Sequence, residues 1–416
     1  MPNVTKVKSY SDALGALEKG AAGIRVRCKY KGNMNAFNKF VDALGSDKIC
    51  VVLDLRSNQI GPEGGASIGG ALKQNNTLTS LNLNFNKIGP EGTARIADAL
   101  KVNKSLLSLT LGENGIGPDG AKETADALKV NKALLKLDLL NNNIGPEGGI
   151  AIGKGLEKNK ALQILNLYRN KIGPEGGVAL GEALKANGTL QSLNLYYNEI
   201  GPKGAERIAD ALKVNKSLVK LNLRANEIGP VGAKKIADGL EVNSALQEVN
   251  LDDNIIGDLG AEHISNALKT NSALQTLTLE LNYIGPKGIQ RIADALKENS
   301  KLQTLNLRWN KIGPGGIAIG EALKHNLTLT NLDMTENNIG DDVAIAIRNA
   351  LRENKESMLF KVRLGTGGIA AEIEEEIKER ARTRFIDALN SDRKAPLNRV
   401  RLMFVGQGRA GKSATV

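Results

Sequence analysis

Close to the C-terminal end, Gly406-Gln407-Gly408-Arg409-Ala410-Gly411-Lys412-Ser413 fits the spacing GxxxxGK[ST]. A loop of this kind turns its backbone N–H groups toward phosphate oxygens. The Lys in seventh place reaches the outer phosphates, and the hydroxyl that follows it ligates Mg²⁺. Gly406, Gly408, Gly411, Lys412 and Ser413 are therefore candidate phosphate-binding residues, with Ser413 the candidate Mg ligand. Val400 and Leu402 to Val405 read as the buried strand that should precede such a loop. The loop needs a parallel sheet to hold its shape, yet only Ala414, Thr415 and Val416 follow, with neither a DxxG nor an NKxD element after it. The expectation is that this chain, a truncated product or fragment, takes no cofactor and is non-catalytic.

Other reactive groups are sparse. The two histidines, His263 and His325, fall in helical segments. Neither they nor Cys28 and Cys50 have metal-ligand spacing. Two cysteines are too few for a secreted disulfide framework. Cys50 stands where later repeats have Leu, and reads as a small buried hydrophobe. The acid pair Asp252-Asp253 reads as solvated charge on a rim rather than as a general acid and base.

The aromatics are rare, 3% of residues, but placed non-randomly. Of six between residues 51 and 354, five (Phe85, Tyr168, Tyr196, Tyr197 and Trp309) occupy the two slots that follow an LxL element. Arg169, Arg224, Asp252, Asp253, Glu280 and Arg308 share those slots. Aromatic and Arg side chains are the usual anchors of protein interfaces. A candidate protein-binding patch thus runs from Tyr168 to Trp309. The competing reading is that the slots are strand-like and favour aromatics for that reason alone.

The elements that must position these groups come from a repeat. Asn58, Asn86, Asn114, Asn142, Asn170, Asn198, Asn226, Asn254, Asn282 and Asn310 are each 28 residues apart, and Asn337 follows after 27. One residue is missing near Pro314-Gly315-Gly316. In each unit LxL points two Leu to one face of a strand. Strands stacked at about 4.8 Å make an eleven-membered parallel sheet with an inner arc of roughly 50 Å. The Asn side chain can bond backbone groups left bare by the turn. Ile-Gly-Pro then opens a helix, because Pro is harmless at its first position. Ile96, Ala97 and Leu100 mark the buried face. A second Asn (Asn75, Asn103 and so on to Asn354) closes each helix, expected as a left-handed cap.

The pattern LxxLxLxxNxIGPxGAxxIAxALKxN over about residues 50–354 resembles the ribonuclease-inhibitor-like class of leucine-rich repeats. The resemblance implies an α/β leucine-rich-repeat solenoid, a right-handed β-α horseshoe with its parallel sheet concave and its helices convex. Such folds mostly bind proteins. A phosphate loop placed after the repeats is similar to the Roco family, in which repeats precede a Ras-like Roc GTPase and a COR domain. By that resemblance Gly406, Gly411, Lys412 and Ser413 would hold GTP or GDP with Mg in a complete protein, and the parent would be a signalling GTPase. The partner would be a protein on the concave face, or the GTPase module itself. Two alternatives are a regulator of a separate small GTPase, similar to the Ran GTPase-activating protein, and a ribonuclease-inhibitor-like scaffold with an accidental loop match.

The expected organisation is a capping unit (1–49), eleven repeats (50–354), a C-terminal cap (355–368), an amphipathic linker helix (369–392), and the first strand and phosphate loop of an incomplete Roc-like domain (399–416). In the first unit, residues 24–30 read as a strand and 36–44 as a helix; in the last, 358–364 reads as a strand. Net charge is +11, but the basic residues mix with acids on the outer helices, which argues against specific nucleic-acid binding. The absence of a signal-type apolar run and of an 18-residue apolar stretch gives a cytoplasmic expectation without a membrane span.

Overall fold

The computed structural model describes residues 3–26, 34–365 and 368–390. Cys28 and the strand and loop expected at 399–416, Ser413 included, lie outside the described residues.

Among the described residues, strands of three or four residues alternate with helices. Fourteen strands pair in parallel and in strict chain order, forming one open sheet. The register follows the repeat: Leu81 sits beside Leu53 and Leu109, and Leu193 beside Leu165 and Leu221. Every LxL leucine from Leu53 to Leu307 is buried, as are the helix residues Ile96, Ala97 and Leu100. A single aliphatic core therefore runs the length of the solenoid between sheet and helices.

A polar ladder lies beside it. Each turn Asn is buried, and from Asn86 to Asn337 its Oδ1 accepts from the backbone N–H of the previous repeat's turn Asn, in an unbroken ladder that starts at the Asn58 N–H. The Asn198 Nδ2 donates to the carbonyls of Leu167, Leu195 and Tyr196 at 2.8, 3.0 and 3.2 Å. The ladder thus supplies the donors that the irregular turn backbone cannot supply itself.

The helix-closing Asn corrects an expectation. Asn75 is extended (φ −70°, ψ 130°), not left-handed. Its side chain makes the cap: Nδ2 donates to Leu44 O at 2.7 Å, and Oδ1 accepts from Leu78 N at 2.8 Å and Thr77 N at 3.1 Å. Asn103 repeats the arrangement with Leu72 O, Ser105 N and Leu106 N. A side-chain bond to the neighbouring repeat makes a left-handed backbone unnecessary. That conformation falls instead on the Gly that opens most helices, such as Gly61 (φ +70°), whose N–H donates to Asn86 O.

The missing residue near Pro314 has a local consequence. Gly313–Gly316 is a 3-10 helix and only Ile317–Leu323 is α-helical. The tighter helix rises about 0.5 Å more per residue, so four such residues recover roughly the length of the one lost.

The ends are covered by irregular units. At the N-terminus Thr5–Val7 and Tyr10–Glu18 form a strand and helix ahead of the expected first unit, whose strand is Gly23–Val26 and helix Met34–Ser46. Tyr10 packs edge-on to Phe37 at 4.9 Å beneath them. At the other end Lys361–Arg363 pairs with Asn331–Asp333. The helix Gly368–Asn390 lays Ile373 and Ile377 on the last repeat. The Arg380 guanidinium donates to the carbonyls of Leu351 and Asn354, filling the C-terminal acceptors of the preceding helix.

Candidate functional site

The open face of the sheet, opposite the helices, carries the residue between the two leucines of each strand and the first slot after them. In strands the in-between residue is mostly Asn, Asp or Thr, and it fixes the slot. Asn166, Asn194, Asn222, Asn250 and Asn306 each accept, through Oδ1, the N–H of the residue two further on: Tyr168, Tyr196, Arg224, Asp252 and Arg308.

So aligned, the first-slot residues from Tyr168 to Glu280 form one connected row. The rings of Tyr168 and Tyr196 stack with centroids 4.5 Å apart and an interplanar angle of 16°. The Arg224 guanidinium lies 5.3 Å from the Tyr196 centroid. It also pairs with Asp252 at 3.6 Å and Glu280 at 3.9 Å. Glu280 in turn accepts from Asn306 Nδ2 at 3.2 Å. Aromatic, cation and carboxylate are thus in contact, one with the next, across five repeats.

Asp252 corrects the reading of Asp252-Asp253 as solvated rim charge. Asp253 is exposed, but Asp252 is only 3% exposed, and its Oδ1 accepts from Glu280 N at 2.7 Å. Burial pushes its carboxyl above the usual carboxylate range, and the charge of Glu280 adds to the effect. The Glu280 amide and Arg224 act in the opposite direction. The first slot lies under the row formed by its neighbours, and this depth is not visible in residue type.

The second slot is a different environment. Phe85, Arg169, Tyr197, Asp253 and Trp309 all have φ between 54° and 60°. The slot is therefore not strand-like, and strand preference does not explain its aromatics. The conformation is set by a bond to the next repeat: Tyr197 N–H donates to Arg224 O, and Trp309 N–H to Thr335 O. The side chains are thrown outward to the rim, where Tyr197 and Trp309 are about half exposed. Arg169 lies 5.9 Å from the Tyr197 centroid and Arg308 5.8 Å from that of Trp309.

The geometry thus links Tyr168, Tyr196, Arg224, Asp252 and Glu280 directly, with Tyr197 edge-on to Tyr196 at 6.3 Å. Arg308 and Trp309 form a separate pair. Tyr283 was not singled out from the sequence, because it falls one residue past the turn Asn; it is exposed, with Lys311 Nζ 4.8 Å above its ring. Its rarity as an aromatic was the available signal.

Cys50 is buried, and its thiol is pushed up to about 12, by burial first and by the Asp47 charge second. It is inert near neutral pH. Among the described residues no group of His, Cys, Asp and Glu is arranged to hold a metal, and no helix is long and apolar enough to cross a membrane.

The chain was compared with known proteins. A family model described as Leucine Rich repeat matches residues 51–69, 74–97, 102–123, 130–153, 158–181, 186–209, 214–237, 242–265, 298–318 and 325–347, more than half of the chain. A search of the curated proteins gives no match. Among solved structures, leiomodin-1 actin-binding site 2 is 20% identical, with a TM-score of 0.31, over 44% of this chain and 96% of that one. The tropomodulin C-terminal domain of Caenorhabditis elegans is 16% identical, with a TM-score of 0.33, over 38% and 97%. The Rad7–Elc1 complex of yeast gives 16% identity and a TM-score of 0.42 over 71% and 76%. With ten matched segments set on the repeating strand, turn and helix described above, the chain belongs to the leucine-rich-repeat family.

Proposed function

We propose that this chain is a non-catalytic protein-interaction scaffold that holds its partner on the concave face between Tyr168 and Trp309. The observation that carries the reading is the connected row Tyr168–Tyr196–Arg224–Asp252–Glu280, whose side chains already contact one another in the free chain. Large rings and guanidinium groups in such contacts lose less entropy on binding, so more of their contact energy is realised as affinity. The Tyr196→Ala, Tyr197→Ala, Trp309→Ala triple variant tests it in a quantitative pull-down. Loss of most of the captured partner is expected, and unchanged capture contradicts the patch.

The same reading attaches these repeats to a Roco-type GTP-binding signalling protein, with GTP or GDP and Mg held by a complete domain, and allows that domain as a partner. Its support is the sequence Gly406 to Ser413 and its place after the repeats. Nucleotide binding by the complete domain that survives Lys412→Ala contradicts that assignment.

A further inference from the structure

The rim departs from its own pattern in two adjoining repeats. After the turn Asn, the first seven repeats carry Gln59, Lys87, Gly115, Asn143, Lys171, Glu199 and Glu227; the next two carry Ile255 and Tyr283. Backbone φ there is 56° at Ile255 and 57° at Tyr283. A β-branched side chain crowds the backbone in that conformation. Ile255 is 55% exposed, so no burial offsets the strain.

A second position changes alongside. The residue two after the helix-opening Gly is Glu63, Glu91, Asp119, Glu147, Glu175 and Lys203, then Val231 and Leu259, both exposed, in the repeat before and the repeat of Ile255, with Lys287 restoring a charge in the Tyr283 repeat. Beside Leu259, Asp258 replaces the usual Pro. It accepts the Gly285 and Gly288 N–H groups at 2.6 and 2.8 Å, capping the next helix and spending its own carboxylate. Strain and exposed apolar surface with no return in folding mark a place shaped for something else.

On the open face of the same repeats, one guanidinium meets two carboxylates. Arg224 is shared between Asp252 and Glu280. Asp253 is exposed and forms no ion pair among the described residues. Arg308, the next cation in the row, lies over Trp309. The inner row therefore sets one guanidinium against two carboxylates, and the outer strip is apolar except at its edge, where Lys311 Nζ lies over the Tyr283 ring.

We infer that the rim formed by Ile255, Leu259 and Tyr283, with Asp253 beside it on the rim and Glu280 in the inner row, docks an amphipathic segment of a protein partner that bears one apolar row and one row of Lys or Arg. The apolar row covers the strip, and the cations complete the charge of the inner row. This rests on the protein-binding reading above and names the chemistry of the partner.

Trp309 is the sole tryptophan and half exposed beside this rim, so its emission reports occupancy. The full chain is titrated with a synthetic amphipathic helix of Leu and Lys, and with its counterpart in which every Lys is Glu. The Lys peptide is expected to shift the emission and to bind at least roughly tenfold more tightly than the Glu peptide. Asp253→Asn with Glu280→Gln should cost roughly tenfold in affinity. Ile255→Gly should bind several-fold more weakly while unfolding at a higher temperature, and Glu63→Gln should bind as wild type. Equal binding of the two peptides overturns the inference, as does unchanged affinity in both the carboxylate and Ile255 variants. If the triple aromatic variant loses the pulled-down partner while the carboxylate variant keeps it, this inference falls and the protein-binding reading stands.

Discussion

The Glu280 backbone amide donates to the Asp252 carboxylate at 2.7 Å, the same bond and the same length that the Gly112 amide makes to the Asn84 side-chain oxygen six repeats earlier. An amide oxygen therefore serves this position as well as a carboxylate does, and the charge on Asp252 is surplus to the fold.

Asp252→Asn should accordingly keep its bond to Glu280 and be no less stable than wild type at pH 7. The sign with pH follows from the raised carboxyl. Between the unfolded carboxylate range near pH 4 and the higher folded value, the native state binds more protons than the unfolded one, so wild type loses stability as pH rises through that window. The difference between variant and wild type should shrink on acidification toward pH 4, read as melting temperatures at pH 4, 5.5 and 7. The charged neighbours Glu280, Asp253 and Arg224 are present in both proteins, so the comparison isolates Asp252. A difference that widens in acid would contradict the assignment.

Asn198→Ala should be among the costliest single changes. It strips the donor from the three carbonyls of Leu167, Leu195 and Tyr196, and the acceptor from the Asn170 and Ile172 amides. The groups are buried, so the cost is on the order of 3 kcal/mol. Urea unfolding should show it, with two transitions where wild type has one, because a solenoid broken in the middle couples its halves poorly. A loss below about 1 kcal/mol would mean that water replaces the ladder.

Two neighbouring glycines should respond with opposite signs. A Cβ on Gly69 would lie 2.6 Å from Arg95 O in the next helix, whereas one on Gly70 meets nothing within 4 Å. Gly69→Ala must push two helices apart and should cost about 2 kcal/mol. Gly70→Ala, on an exposed helical position, should gain about 0.5–1 kcal/mol through the unfolded chain. Melting temperatures of the two variants settle both signs.

Much of this was legible in the residues. The Asn58-to-Asn337 spacing gave the register, and the leucine pairs gave the sheet. The aromatic slots pointed to the row that Tyr168 and Tyr196 form. What stayed hidden depends on the neighbouring repeat rather than on the residue itself. The left-handed backbone at Tyr197 and Trp309 comes from amides bonded to Arg224 and Thr335. The depth of Asp252 comes from Glu280 and Arg224 lying across it. The extended cap at Asn75 comes from the Leu44 carbonyl one repeat back. The strand at Thr5–Val7 and helix after it escaped notice because they lack the Asn register, although Ser9 accepting from Asp12 N at 3.0 Å is an ordinary helix-start signal.

Site-specific photo-crosslinking tests the central claim most directly. A photoreactive residue is placed at Tyr196 or Trp309 on the proposed face, and at Val102 or Val214, exposed at the helix ends. The account predicts one and the same partner protein crosslinked from Tyr196 and Trp309, and none of it from Val102 or Val214. Crosslinking of that partner from Val102 or Val214, with none from Tyr196 or Trp309, would contradict it.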